Sequence, residues 1–321
     1  MRIVAALVLA LIAAAPLVAS PAGAQQARLI NPCSFSASDA PCKVREGSYR
    51  ALVPQGYGPH PAVVYLYGSL GRSDRITRSR VFRRNVVRRG YALIAPNALD
   101  VSYQGGVRGT GWGRQGRRNH PRDDLAFLRR VLRDAEARFN IDPERLIFAG
   151  QSDGGFFIWE IACLRPEMAA AYAIHGASYG GPVPERCRAP VRFLQSHGRR
   201  DRIVPFSGPM MQGRQQVAAD VGAAMRMMAR TNRCGRDPEP ERLRGFDRRR
   251  WTDCAPGAKL DRLSHEGGHS WPAAWLTAVL DWFEERRLPP AEAVTRRVGD
   301  ETGLFRKPES STARFKSVPS Q

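Results

Sequence analysis

Leu146-Ile-Phe-Ala-Gly-Gln-Ser-Asp-Gly-Gly-Phe-Phe-Ile-Trp-Glu-Ile-Ala162 is the stretch whose reading decides the fold. Its first four residues are an apolar run of strand length, and the run from Gly155 onward has the length and composition of a buried helix. Between them Gly150-Gln-Ser-Asp-Gly154 fits G-x-S-x-G, in which small residues let the backbone turn sharply from strand to helix and leave a serine hydroxyl exposed. The pattern recurs at Gly176-Ala-Ser-Tyr-Gly180, again after an apolar run. There the chain continues as Gly180-Gly-Pro-Val-Pro184, which cannot enter a helix at once. Ser152 is therefore the candidate nucleophile, and Ser178 reads as a loop residue near the pocket.

Working outward, apolar runs occur at Pro61–Tyr67, Tyr91–Ala95, Ala171–Ile174 and Val191–Gln195, with a further strand expected over Ser48–Val53. Runs that are apolar throughout suit strands buried on both faces, as in a parallel sheet. Helical patterns lie between them. Asp123 to Phe139 puts Leu125, Leu128, Val131, Leu132 and Ala135 on one stripe behind an acidic start, and Val217–Ala229 and Trp271–Phe283 read similarly. Strands alternating with helices predict a three-layer α/β domain, with a mostly parallel central sheet and helices on both faces.

A serine nucleophile needs a base, and the base needs an orienting carboxylate. Asp201 follows the run ending at Gln195, in a turn at the ligand-facing edge of the expected sheet. His269 stands in the glycine-rich stretch Gly267-Gly-His-Ser-Trp-Pro272 ahead of the last helix. The order Ser152, Asp201, His269 is the one a G-x-S-x-G turn of this kind uses. His197 reads as structural, His265 as a backup base, and Asp153 and Asp220 as alternative acids, Asp220 inside the Val217–Ala229 helix and solvated. His265-Glu266-Gly-Gly-His269 also fits the zinc-peptidase pattern H-E-x-x-H, which works only on a helix; two central glycines cost about 1 kcal/mol each there. For a developing oxyanion, the N–H groups of Asp153 and of Ser69, in the Tyr67-Gly-Ser-Leu-Gly71 turn, are the candidate donors, with Leu70 as the alternative to Ser69. Trp271 and the Tyr103–Trp112 loop are the candidate pocket walls. This chemistry calls for no metal and no organic cofactor.

The N-terminus sets the compartment. Met1-Arg2 precedes an apolar run over residues 3–18, and Ala22-Gly-Ala24 offers a small-residue cleavage site, so residues 1–24 read as a signal peptide. No later stretch is apolar enough to span a membrane, and no stable insertion is expected after cleavage. Roughly 290 residues remain, ample for one large core. Residues 25–288 are expected to form the catalytic domain and 289–321, rich in Pro, Glu, Arg and Ser, a flexible tail. Six cysteines in an exported chain read as a disulfide framework; the simplest pairing is Cys33–Cys42, Cys163–Cys187 and Cys234–Cys254. The formal net charge of +20 comes almost wholly from arginine. It reads as spread along the chain, apart from clusters such as Arg248-Arg-Arg250, which implies general attraction to anionic surfaces and no nucleic-acid recognition.

With these residues assembled, the chain resembles the secreted polyhydroxybutyrate depolymerase and feruloyl/acetylxylan esterase group of the α/β-hydrolase superfamily. The resemblance runs over roughly residues 40–287. It is carried by Tyr67–Gly71, the Asp123–Arg145 segment with its Asp142-Pro143 exit, Gly150–Gly155, His197-Gly-x-x-Asp201 with Val204-Pro205, and Gly268-His-x-Trp-Pro272. The pairs Cys163/Cys187 and Cys234/Cys254 also look like this group. It implies an exported, periplasmic or extracellular ester hydrolase with Ser152, Asp201 and His269 as its triad. The chain departs from the group at Tyr67, where the family often has His, and at Asp153, where Asn or Ala is more usual. Without a Ser/Thr-rich linker or polymer-binding module after the catalytic domain, small or oligomeric esters are the expected substrates. The competing readings are a catalytically silent scaffold that binds a surface polymer or partner, and a zinc peptidase using His265, Glu266 and His269.

Overall fold

The computed structural model describes residues 33, 40–102, 108–114, 120–235, 237–243 and 245–284. The expected signal peptide, the expected tail and residues 103–107 of the expected pocket loop lie outside these. An N-terminal hairpin, β1 (Cys42–Val44) and β2 (Gly47–Leu52), leads into β3 (His60–Leu66). Two short helices follow, α1 (Ser73–Arg78) and α2 (Arg80–Asn85), and then β4 (Ala92–Pro96). A separate ribbon, β5 (Leu99–Ser102) with β6 (Arg108–Gly111), precedes α3 (Asp124–Phe139), β7 (Ile141–Gln151), α4 (Asp153–Leu164), β8 (Ala171–His175) and β9 (Arg192–Gly198). A small hairpin of β10 (Met210–Gln212) and β11 (Gln215–Ala218) then leads to α5 (Val221–Asn232). The last elements are β12 (Glu239–Leu243), β13 (Phe246–Trp251), β14 (Lys259–His265) and α6 (Trp275–Phe283).

Among the described residues ten strands form one sheet in the order β1-β2-β4-β3-β7-β8-β9-β14-β13-β12. The six strands from β4 to β14 pair in parallel, and both flanks are antiparallel. Apolar runs lie in the parallel strands β3, β4 and β8 and in the second half of β7, whose side chains are buried on both faces. From β3 the chain steps to β4 and then back across β3 to β7. Right-handed crossovers in opposite directions put α1 and α2 on one face and α3 and α4 on the other. On the first face α2 touches α6. This is the three-layer α/β architecture that the alternation of runs predicts, and the α/β-hydrolase fold that the resemblance implies.

Local chemistry explains the element ends. Asp123 caps α3 by accepting from the Ala126 N–H at 3.0 Å, and Asn140 ends the helix in the left-handed region at φ 50°. The three disulfides join Cys33 to Cys42, Cys163 to Cys187 and Cys234 to Cys254, the pairing in chain order. Two helices begin later than their apolar patterns suggest. α5 starts at Val221, because Val217 and Ala218 belong to β11, and α6 starts at Trp275, because Pro272 delays it. Asp220 is consequently not a solvated residue inside a helix. It is the N-cap of α5, accepting from the Ala223 N–H at 2.8 Å and the Gly208 N–H at 2.8 Å. Among the described residues no helix is long and apolar enough to cross a membrane.

Candidate active site

Four loops meet beyond the carboxyl ends of β3, β7, β9 and β14. Register brings the first two level, with Leu66 of β3 opposite Gly150 of β7. Ser152 follows at φ 54° and ψ −124°, a backbone conformation that is costly for any residue with a Cβ. It is the first residue past β7 and the N-cap of α4, the sharp strand-to-helix turn expected of it. The turn is possible because Gly154 lies against β3: a Cβ there would sit 2.1 Å from the Leu66 carbonyl oxygen. Ser178 is buried in a loop after β8 with no helix following, so it has neither the turn nor the exposure.

Asp201 lies in the tight turn after β9. One carboxylate oxygen accepts the N–H groups of Ile203 and Val204, each at 2.9 Å. The other lies 2.8 Å from His269 Nδ1 and 3.3 Å from His197 Nε2. Burial alone would raise the Asp201 pKa, but the hydrogen bonds from His197, His269 and the Val204 N–H outweigh it and hold the carboxyl far below the usual carboxylate range. His197 is fully buried and also bonds the Val204 carbonyl at 2.9 Å, so it shapes the turn that presents Asp201. His269 comes from the loop after β14 with its side chain 16% exposed. The Gln151 amide donates to the His269 carbonyl at 2.9 Å, tying that loop to the residue before Ser152.

His265, the backup base, ends β14 and points elsewhere. Its Nδ1 accepts from the Gly267 N–H at 3.0 Å and its ring stacks on His175 at 5.4 Å. Residues 259–265 are strand and 266–268 are loop, so the two histidines of H-E-x-x-H are not on a helix, and Glu266 instead pairs with Arg199 and Arg200.

Asp153 and Ser69, the candidate oxyanion donors, lie respectively next to Ser152 in the chain and in the turn whose Gly68 packs against it. Asp153 opens α4, where backbone N–H groups lack intrahelical acceptors. Ser69 is in a turn closed by the Gly71 N–H on the Gly68 carbonyl at 3.0 Å, with Leu70 at φ 66° in its third position. That turn presses on the serine: a Cβ on Gly68 would lie 2.8 Å from Ser152 Cβ. Trp112 is fully buried and donates from Nε1 to the Tyr67 carbonyl at 2.8 Å, so it braces the turn and is not an open pocket wall. Tyr67 accepts the Ala98 N–H at 2.8 Å, and burial pushes its hydroxyl up to about 12. Trp271 is half-buried, edge-on to Phe82 of α2 at 5.9 Å.

One contact had no signal in the sequence. The Asp153 carboxylate accepts hydrogen bonds from the Trp112 N–H at 2.9 Å and Arg114 Nε at 3.1 Å. Arg114 in turn lies over the Phe156 ring at 4.9 Å.

No protein-family model matches the chain. A protein of Nocardia uniformis subsp. tsuyamanensis that carries the esterase name NocK is 25% identical over 246 residues, spanning 68% of this chain and 67% of its own length. A protein named as feruloyl esterase C in Aspergillus clavatus is 27% identical over 119 residues, 36% of this chain and 37% of that one. The chain thus spans about two thirds of the first relative and little over a third of the second. Among solved structures, the acetyl xylan esterase from Aspergillus awamori superposes with a TM-score of 0.53 at 15% identity, covering 74% of this chain and 94% of that one. The chain thus has the α/β-hydrolase fold and is similar in sequence to proteins named as esterases.

Proposed function

We propose that the chain is an exported serine carboxylic-ester hydrolase acting on small or oligomeric esters through Ser152, His269 and Asp201. The observation that carries this reading is the meeting, at one edge of the sheet, of a serine in a strained strand-to-helix turn and a histidine held 2.8 Å from a buried carboxylate. Residues 25–288 would form the catalytic domain, and the three disulfides fit an oxidising compartment outside the cytoplasm.

In this reading His269 Nε2 takes the Ser152 proton as Oγ attacks the ester carbonyl carbon. Asp201, kept ionised, fixes the ring with Nδ1 as donor and stabilises the imidazolium that forms. The N–H groups of Asp153 and Ser69 hold the oxyanion. His269 then returns the proton to the departing alkoxide, leaving an acyl-Ser152 ester and a free alcohol. Water repeats the sequence, with His269 accepting its proton, and releases the acid and the serine. Polyhydroxybutyrate oligomers and feruloyl and acetyl esters are the substrate classes to screen, the last two because they appear in the names of the relatives and the structural neighbour.

The test is hydrolysis of short p-nitrophenyl esters by the purified chain. Ser152→Ala should lower kcat by at least about 10³-fold, and a fluorophosphonate should label the parent but not the variant. Full activity in Ser152→Ala, or its abolition by a chelator, would overturn the serine mechanism.

A further inference from the structure

Segment 72–89 carries eight arginines, Arg72, Arg75, Arg78, Arg80, Arg83, Arg84, Arg88 and Arg89, against one acid, Asp74. The positive charge is therefore not evenly spread along the chain. Folding gathers it further. α1 turns Ser73 and Thr77 inward, and α2 and the short turn after it bury Phe82, Val86 and Val87. Every arginine of the segment except Arg89 is left exposed. α1 and α2 are joined through Ser79 alone, so their outer faces adjoin.

The pairing within this surface is uneven. Arg72 and Arg78 share Asp74, at 3.1 and 3.7 Å, and Arg89 is taken by Asp281 and Glu284 at 2.7 and 2.8 Å. Arg83 donates to the Thr77 carbonyl at 2.9 Å. Arg75, Arg80, Arg84 and Arg88 have no acidic partner among the described residues. Four unneutralised guanidiniums in one short segment are a liability for stability by mutual repulsion. Each can instead hold a carboxylate by two parallel hydrogen bonds.

The position of this surface connects it to the ester site. α1 begins two residues after the Gly68–Gly71 turn, whose Gly68 abuts Ser152. Phe82 of α2 meets Trp271, two residues beyond His269. We infer that the outer face of α1 and α2 is a docking surface for a polyanionic carbohydrate bearing uronate carboxylates, which it holds beside Ser152. Neighbours on a helix face stand about 5–6 Å apart, on the scale of one sugar ring, which suits a polymer with repeated charge better than a single small anion. An anionic lipid surface fits less well, because the large apolar side chains of these helices and the turn after them point inward.

The inference rests on the esterase reading only for what docking achieves; binding itself is measurable without turnover. Polygalacturonate is the probe, titrated into full-length Ser152→Ala protein at about 50 and about 200 mM salt. Replacing Arg75, Arg80, Arg84 and Arg88 together by Gln should weaken binding at least about 10-fold and flatten its salt dependence, while the fourfold Lys replacement, which keeps the charge and loses the paired hydrogen bonds, should bind between the two. In the Ser152 background, the fourfold Gln variant should hydrolyse neutral p-nitrophenyl acetate within about 2-fold of the parent, which also reports correct folding; if it does not fold, Arg84→Gln and Arg88→Gln singly should each give a partial loss of binding. Undiminished polygalacturonate binding by the Gln variants, or tighter binding to phosphatidylglycerol vesicles than to polygalacturonate, overturns the inference. An active esterase that fails to bind the polymer sinks the docking surface alone, whereas polymer binding by a chain with no esterase activity sinks the proposed function alone.

Discussion

A carboxylate directly after the proposed nucleophile is an electrostatic problem, because the proposed reaction would build negative charge on an oxygen held by that same residue's N–H. At an effective dielectric near 20, two unit like charges 4 Å apart repel by about 4 kcal/mol. Asp153 avoids most of this by facing Arg114 and the Trp112 N–H. The pair is largely sheltered, with side-chain exposures of 20% and 5%. Arg114 is thus argued to act through Asp153, as a positioning residue. Arg114→Gln should lower kcat about 10- to 100-fold with little change in KM, the mark of an interaction felt mainly in the transition state. Adding Asp153→Asn should recover most of that loss, since the charge to be neutralised is then gone. Steady-state kinetics on the two single variants and the double variant decide it: an equal loss from Arg114→Gln in both backgrounds would rule out action through Asp153.

At the scale of elements, the sequence was most readable where a strand is covered on both sides. β3, β4 and β8 carry apolar runs for that reason, and the elbow at Ser152 could be separated from Ser178 because only one of them leads into a helix. β12, β13 and β14 were not readable. They are antiparallel or border antiparallel strands, and their buried positions include charged residues that pair only in the fold, as Arg248 does with Asp261. The same cause hid Arg114, whose partner lies 39 residues away. The apolar pattern of α5 runs back into β11, so in sequence the Asp220 N-cap looks like an interior residue. Its real position makes a prediction. Asp220→Ala removes a cap and the tie to Gly208, and should cost about 1–2 kcal/mol in urea unfolding while leaving kcat within a few-fold. Asp201→Asn should instead lower kcat by about 10⁴-fold, the usual scale for neutralising a triad acid. A collapse of kcat in Asp220→Ala would reopen its role as an acid.

For the whole molecule the sheet centre sets the response to acid. His175 ends β8, fully buried, with Nδ1 2.8 Å from Ser196 Oγ and its ring between His265 and Trp275. Burial first, and then the neighbouring histidines, push its pKa down from the ordinary 6.5 to about 3. In the native state His175 stays neutral until about pH 3, whereas the unfolded chain takes up its proton near 6.5. The unfolded state therefore holds one more proton between these values, and stability falls as pH drops through that window, by up to ~1.4 kcal/mol per pH unit from this group. Asp201 has the same sign in a lower window. Its depressed carboxyl stabilises the fold above the ordinary 3.8, and that contribution fades only as pH falls below it. The two are separable by calorimetric melting between pH 7.5 and 3. His175→Gln should flatten the decline of Tm between pH 6.5 and 4, and Asp201→Asn should lower Tm throughout but change its slope with pH only below about pH 4. If His175→Gln keeps the parent slope above pH 4, the acid sensitivity of the fold comes from some other group, and the buried histidine stack is only packing.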